Sequence, residues 1–448
     1  MQLPLRHIRR LRALSRRWQR RLIFTGGALA VGLTAVALAY VADGAQHAFR
    51  EMLRHFPYAP LVLTPLGFGF VAWVTARYFP GTQGSGIPQA IAAQGLDTPE
   101  ERRRFVSLKA AFGKVVMTLA SLLVGASVGR EGPTVQVGAS LMFEIGRLTP
   151  RRQPGLIIAG AAAGVAAAFN APLAGIVFAI EEISRSFEVR TSGLIIGAVI
   201  LAGLTSLALY GNYAYFGSTG AMLATGTDWL SIPICGVLGG LLGGLFARML
   251  IFMAKGVPGE IGGWIKRHPV VFAIACGLGV AACGLLSGNQ IFGTGYIHVR
   301  AALHGTKPLD WSFAPLKFAA SVLSAVSGIP GGIFSPSLSV GAGLGADVAR
   351  FFPGAPVGAI VLIGMVAYFA GVVQAPITSF VIVSEMTDNH KMLVPLMAAA
   401  LIATACSKLV CHEGLYQALA QNYLDATPQP STPMASSAPC RRSGSSDI

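Results

Sequence analysis

The chain alternates long uncharged runs with Gly- and Pro-marked breaks. Uncharged or nearly uncharged stretches cover 22–42, 59–76, 115–129, 155–180, 191–227, 229–247, 269–299, 318–346, 351–384 and 392–407. A helix needs about 20 apolar residues to cross the hydrocarbon core of a bilayer. Several of these runs are long enough for two crossings. Such a chain has few places to go except into lipid, where every backbone polar group must be satisfied internally. Composition agrees. Of 448 residues 53% are hydrophobic and 12% charged, against about 25% charged in an average soluble domain. The 55 glycines would let membrane helices approach closely. The fold expected is an all-α polytopic membrane protein.

The net charge of +15 would suit nucleic acid, but its placement argues against that partner. Arg6, Arg9, Arg10, Arg12, Arg16, Arg17, Arg20 and Arg21 crowd into residues 6–21 with no acid among them. The uncharged run 22–42 follows at once, reading as a retained first span. By the positive-inside rule, 1–21 is a cytoplasmic segment. At the other end, 426–448 is rich in Ser, Pro and Thr and reads as a disordered tail. The membrane part is then 22–425.

Cys235, Cys276, Cys283, Cys406, Cys411 and Cys440 have no metal-ligand spacing, and no HExxH occurs among the eight His. No cofactor, metal site or enzymatic set is expected, which sets aside an intramembrane enzyme.

The breaks are informative. Run 155–180 is interrupted at Asn170-Ala171-Pro172, run 318–346 at 328–332 and Pro336, and run 351–384 at Pro353, Pro356 and Pro376. Interrupted helices at membrane depth are tolerated where protein or a wet cavity meets the freed backbone, so a transport pathway is expected. The sequence also repeats itself. Gly129, Pro133, Val137, Gly138 and Ala139 coincide with Gly332, Pro336, Val340, Gly341 and Ala342 at an offset of 203. Ala171-Pro172 with Glu181 returns as Ala375-Pro376 with Glu385 at an offset of 204. Two halves, roughly 22–215 and 229–425, are expected, with substrate bound where discontinuous helices meet.

Three motifs carry the chemistry: Gly84-Ser85-Gly86-Ile87-Pro88, Gly129-Arg130-Glu131-Gly132-Pro133, and Gly331-Gly332-Ile333-Phe334-Ser335-Pro336. Gly lets the entering chain bend, and Pro in the first helical turn loses no hydrogen bond. Each motif predicts a helix N-terminus inside the membrane. Free N–H groups and positive dipole ends converging from three helices make an anion site with no full cation. Partial charges let a transported anion leave again. Glu131, a carboxylate at membrane depth, is a functional candidate, since such a charge costs on the order of 3 kcal/mol or more. A carboxylate that stabilises a helix N-terminus occupies the position an anion would take, and protonation would release it.

In this order and at these separations, GSGIP, GREGP and GGIFSP resemble the CLC chloride channel and transporter family, over roughly residues 24–420. The resemblance implies a homodimer in a lipid bilayer, each subunit with its own anion pathway built from two inverted halves of tilted, partly broken helices. It implies chloride as the anion, with Ser85 offering its hydroxyl and Ile333 and Phe334 their backbone N–H groups. Arg130 and Gly132 would frame an outer seat through backbone groups, and Glu131 would be the gating glutamate. Tyr416, in Gly414-Leu415-Tyr416-Gln417, fits the family's tyrosine ligand, with Tyr423 the competitor and the nearby Glu413 a departure. Gln89 stands where many relatives have Glu. In proton-coupled members a glutamate after an apolar stretch passes protons to the interior; Glu182 matches it, with Glu181 adjacent. That favours chloride/proton antiport over a passive chloride channel of the same fold. The membrane expected is the inner membrane of a prokaryote, both termini cytoplasmic. Lys114 either tunes the field of the pathway or snorkels to the interface. Glu385 is expected to be structural.

Overall fold

The computed structural model describes residues 5–147, 153–184, 189–211, 214–224 and 226–425, without the side chains of 5–17, Arg20 and 189–192. The tail 426–448 and the side chains of most N-terminal arginines lie outside the described residues. Helices supply nearly all the structure. In the first half these are α1 (Leu5–His55), α2 (Pro60–Tyr78), α3 (Ile87–Gly95), α4 (Leu108–Leu123), α5 (Glu131–Gly146), α6 (Gln153–Phe169), α7 (Pro172–Phe178) and α8 (Val189–Tyr210). The second half has α9 (Ser231–Lys255), α10 (Pro269–Leu286), α11 (Tyr296–Leu303), α12 (Phe313–Val326), α13 (Phe334–Ala349), α14 (Val357–Val373), α15 (Pro376–Thr387) and α16 (Leu393–Val410). A last helix, α17 (Leu415–Asp425), follows.

Apart from two short connecting helices, Pro99–Arg102 and Gly259–Arg267, each helix of the first half has its mate eight labels later. The breaks fall where the sequence places them. Asn170 and Gln374, at an offset of 204, both take left-handed backbone (φ 52° and 59°), and a Pro opens the next helix two residues on. Close crossings repeat as well. A Cβ on Gly138 would lie 2.2 Å from the carbonyl oxygen of Gly160, and one on Gly341 2.6 Å from that of Gly364. Only glycine lets α5 cross α6, and α13 cross α14, this tightly.

The halves run antiparallel. The Glu181 carboxylate, just past the end of α7, accepts from Ile377 N (3.1 Å) and Thr378 N (2.6 Å) at the start of α15. Glu385, near the end of α15, accepts from Leu173 N (3.1 Å) and Ala174 N (2.7 Å) at the start of α7. Two helices can cap one another crosswise in this way only if they lie head to tail. The repeat is therefore inverted.

The basic segment runs without a break into the run 22–42: α1 is one continuous helix, whose apolar window lies within Arg21–His55. Arginine is a good helix former, so a charge boundary need not end a helix. Lys114 does not snorkel. It is fully buried and donates to the carbonyls of Thr82 and Gly84, both at 2.7 Å. Its mate Lys317, offset by 203, is equally buried and donates to Ile291 and Gly293 at the same distance.

Six helices among the described residues are long and apolar enough to cross a membrane; α1, α2, α8, α9, α10 and α16 contain them. Their outward faces carry exposed residues such as Leu66, Phe70, Leu204, Leu238 and Leu278. The shorter α14 is buried from Gly358 to Val373. Long helices present apolar outward faces, and short broken ones fill the interior.

Candidate functional site

The three motifs meet. Gly84 pairs with the strand-like segment before α13: its N–H donates to Ile329 (3.1 Å) and its carbonyl accepts from Gly331 (3.0 Å). Gly129 and Gly332 exchange two hydrogen bonds of 2.7 Å in an antiparallel bridge. These two are repeat-mates, so the pseudo-twofold relation between the halves passes through the point where α5 and α13 begin. A Cβ on Gly132 would stand 2.7 Å from the Ser85 hydroxyl and 3.2 Å from Gly332 Cα. The absence of a side chain there admits the Ser85 loop to the start of α5.

Both α5 and α13 begin two residues before the Pro, at Glu131 and Phe334, with Arg130 and Ile333 as their caps. The N–H groups of a first turn have no intrahelical acceptor. Neither helix has a side-chain cap to take their place. α3 starts after Gly86, whose φ of 100° turns the chain inward.

Two cavities flank this point. One, of about 390 Å³, is lined by Ser85, Ile333 and Tyr416, with Gln89, Asn422 and Tyr423 also on its wall. The hydroxyls of Ser85 and Tyr416 are buried there without a hydrogen-bond partner. Two hydroxyls with hydrogen-bonding capacity to spare thus line one cavity. The Tyr416 hydroxyl is within electrostatic reach of Ser85, Glu182 and Glu131. Tyr423, the alternative tyrosine, instead receives a hydrogen bond from Gln89 Nε2 (3.1 Å), which ties α17 to α3.

The other cavity, of about 260 Å³, is lined by Asp43, Gln46, Arg50, Arg130, Tyr215 and Tyr296, among others. Glu131 is fully buried next to it. Its Oε1 accepts from Ser335 Oγ at 2.5 Å and more weakly from Tyr215 at 3.4 Å, while Oε2 has no partner. The carboxylate folds back over its own helix end: a Cβ on Gly129 would fall 2.3 Å from Oε2. Phe334 lies at the centre of an aromatic cluster, stacked on Phe169 and edge-on to Phe178 and Phe369.

Arg130 keeps its side chain out of the helix-end point. The guanidinium donates to the carbonyl of Ala39 (2.5 Å) and pairs with Asp43 (2.6 Å). Only its backbone is available there. Glu181 spends both oxygens on capping α15, whereas Glu182 is buried and within reach of Tyr416. The wider π-type turn Ala179–Ser184 separates the two side chains.

Ser335, Tyr215 and Asp43 were not singled out by the sequence. Ser335 sits inside the third motif between Phe334 and Pro336, and the repeat aligns it with Gly132, which was the available signal. Tyr215 and Asp43 carry no local signal, lying 84 residues beyond and 88 before Glu131.

The description voltage gated chloride channel belongs to a family model that matches residues 67–408. The chain belongs to this family. It is 34% identical over 422 residues to the H(+)/Cl(-) exchange transporter ClcA of Yersinia pseudotuberculosis serotype IB (strain PB1/+), covering 87% of this chain and 84% of that protein. The protein of the same name from Yersinia pestis is similar to the same extent, 34% over 422 residues with the same shares covered. Among solved structures, a slow cyanobacterial Cl-/H+ antiporter superposes with a TM-score of 0.77 at 24% identity, over 90% of this chain and 98% of that one. A CLC-type fluoride/proton antiporter gives 0.74 at 23% identity, over 89% and 96%. These two likenesses establish the CLC fold, with its inverted halves and broken helices.

Proposed function

We propose that this CLC family member exchanges chloride for protons across a membrane. The observation that carries the reading is the fully buried Glu131 carboxylate, laid over the N-terminal end of its own helix between two cavities. A carboxylate in that place does what a halide would do there. In this reading the Ser85 and Tyr416 hydroxyls and the backbone N–H groups of Ile333 and Phe334 hold a central chloride. The backbone of Arg130 and Gly132 frames the outer seat, which Glu131 occupies when ionised and vacates when protonated. Glu182 relays the proton on the far side, and Glu181 fixes the helix junction that orients it. The names of the Yersinia relatives agree with exchange, and a passive channel has no use for a second buried carboxylate.

The arginine-rich start of α1 supports a cytoplasmic side for residues 1–21. The cavity beside Asp43 and Arg50, at the other end of α1, is then the outer one, and the cavity beside Tyr416 the inner. Residues 22–425 form the transport domain, with halves of roughly 22–215 and 229–425. A cytoplasmic tail, 426–448, follows. The protein resides in a prokaryotic inner membrane as a homodimer with one pathway per subunit.

Reconstitution into liposomes tests this. Under an imposed chloride gradient, protons move uphill in the wild-type protein. Glu131→Ala and Glu182→Gln each abolish proton movement while chloride still flows. Chloride flux in the wild type with no proton movement would leave the channel reading in its place.

A further inference from the structure

Arg130 and Glu131 are adjacent, buried and of opposite sign, yet they do not pair. The guanidinium is claimed by α1, through the Ala39 carbonyl and the Asp43 carboxylate. Its face lies over the Tyr215 ring, 5.8 Å from the centroid, and that same ring carries the hydroxyl that reaches Glu131. Arg130 Nε, buried, has no hydrogen-bond partner. The guanidinium therefore has unused donor capacity within one residue of the gate. Asp43 is 61% exposed at its side chain and stands on the wall of the outer cavity. Ala39 and Asp43 are one helical turn apart on α1, so together they present a two-point dock to a single guanidinium nitrogen.

We infer that Asp43 is a positioning residue for the gate: it holds the Arg130 guanidinium against α1 and so keeps Glu131 from being trapped in an ion pair in the outer cavity. Without Asp43 the Ala39 carbonyl is, among the described residues, the only hydrogen-bond acceptor left to the guanidinium, beside the face of the Tyr215 ring. Its remaining donors then turn to the nearest carboxylate, which is Glu131. An Arg–Glu pair screened from water is strong and, with two parallel hydrogen bonds, long-lived. The gate would then stay ionised and parked, and each transport cycle would wait for that pair to break. The inference rests on the reading of Glu131 as a gate.

The test is epistasis in liposome chloride flux. Asp43→Asn slows exchange about tenfold in the wild-type background. It leaves chloride flux in the Glu131→Ala background within about twofold, because no carboxylate remains to be trapped. Asp43→Glu, which keeps the charge, restores most of the rate. Asp43→Ser takes the place of the amide if Asp43→Asn does not give monodisperse protein. Equal slowing in both backgrounds would make Asp43 merely structural and overturn the inference. So would a rate unaffected by Asp43→Asn. If Glu131→Ala itself still moves protons uphill, the gate reading fails first, and that result is separate from either outcome at Asp43.

Discussion

One short hydrogen bond, from Ser335, restrains the carboxylate of Glu131, the proposed gate. A hydrogen bond to an ionised group contributes about 1.5–3 kcal/mol, and 1.4 kcal/mol is tenfold in an equilibrium. Ser335→Ala is therefore expected to shift the seat toward chloride by about tenfold or more. Calorimetric titration should show tighter chloride binding, and flux at neutral pH should rise. Unchanged binding would mean that the bond does not restrain the carboxylate. Tyr215→Phe should have a smaller effect in the same direction, its contact being 0.9 Å longer. Lys114 acts through the backbone. Its ammonium joins the two carbonyls that flank Gln83, immediately before Ser85. Lys114→Met strands the Thr82 carbonyl, at about 1–3 kcal/mol for a buried group left unsatisfied, and leaves the Gly84 carbonyl only its bond from Gly331 N–H. It should lower the unfolding temperature and weaken chloride binding together. Lys317 braces the other half's loop, so the expected signature of Lys317→Met is lower stability with chloride binding retained.

Among the elements, the crosswise caps at α7 and α15 make the clearest prediction. Each glutamate satisfies two first-turn N–H groups of the opposing helix. Loss of a helix cap costs about 0.5–2 kcal/mol. Glu181→Ala and Glu385→Ala should each destabilise by about that much in detergent. Glu181→Gln should retain proton coupling while Glu182→Gln loses it. Coupling lost in Glu181→Gln would return Glu181 to the proton path. The helix breaks were legible because Pro and Gly act locally: Asn170-Ala171-Pro172 ends one helix and starts another in the sequence as in the structure. The continuity of α1 through its arginines was not legible, because nothing in the chain marks a boundary that fails to occur. The three helix starts could be read from their motifs. Tyr215 and Asp43, partners of Glu131 and Arg130, could not, because they reach the site by tertiary folding alone.

At the scale of the molecule, the repeat was visible as an offset, but an offset carries no orientation. The reciprocal caps and the Gly129–Gly332 bridge supply it. Gly138 and Gly341 make equivalent crossings in the two halves, so Gly138→Val and Gly341→Val should be comparably damaging. Each forces side-chain atoms into a facing backbone carbonyl, and loss of monodisperse protein on size exclusion is the expected result. Wild-type behaviour in either would show that the crossing is not as tight as its glycines imply. The swapped caps have one more consequence. Melting of either half strips two hydrogen bonds from the first turn of a helix in the other, so neither half can come apart while its counterpart stays intact. Calorimetry on the intact chain should accordingly record a single cooperative endotherm, although the polypeptide is built from two copies of one plan.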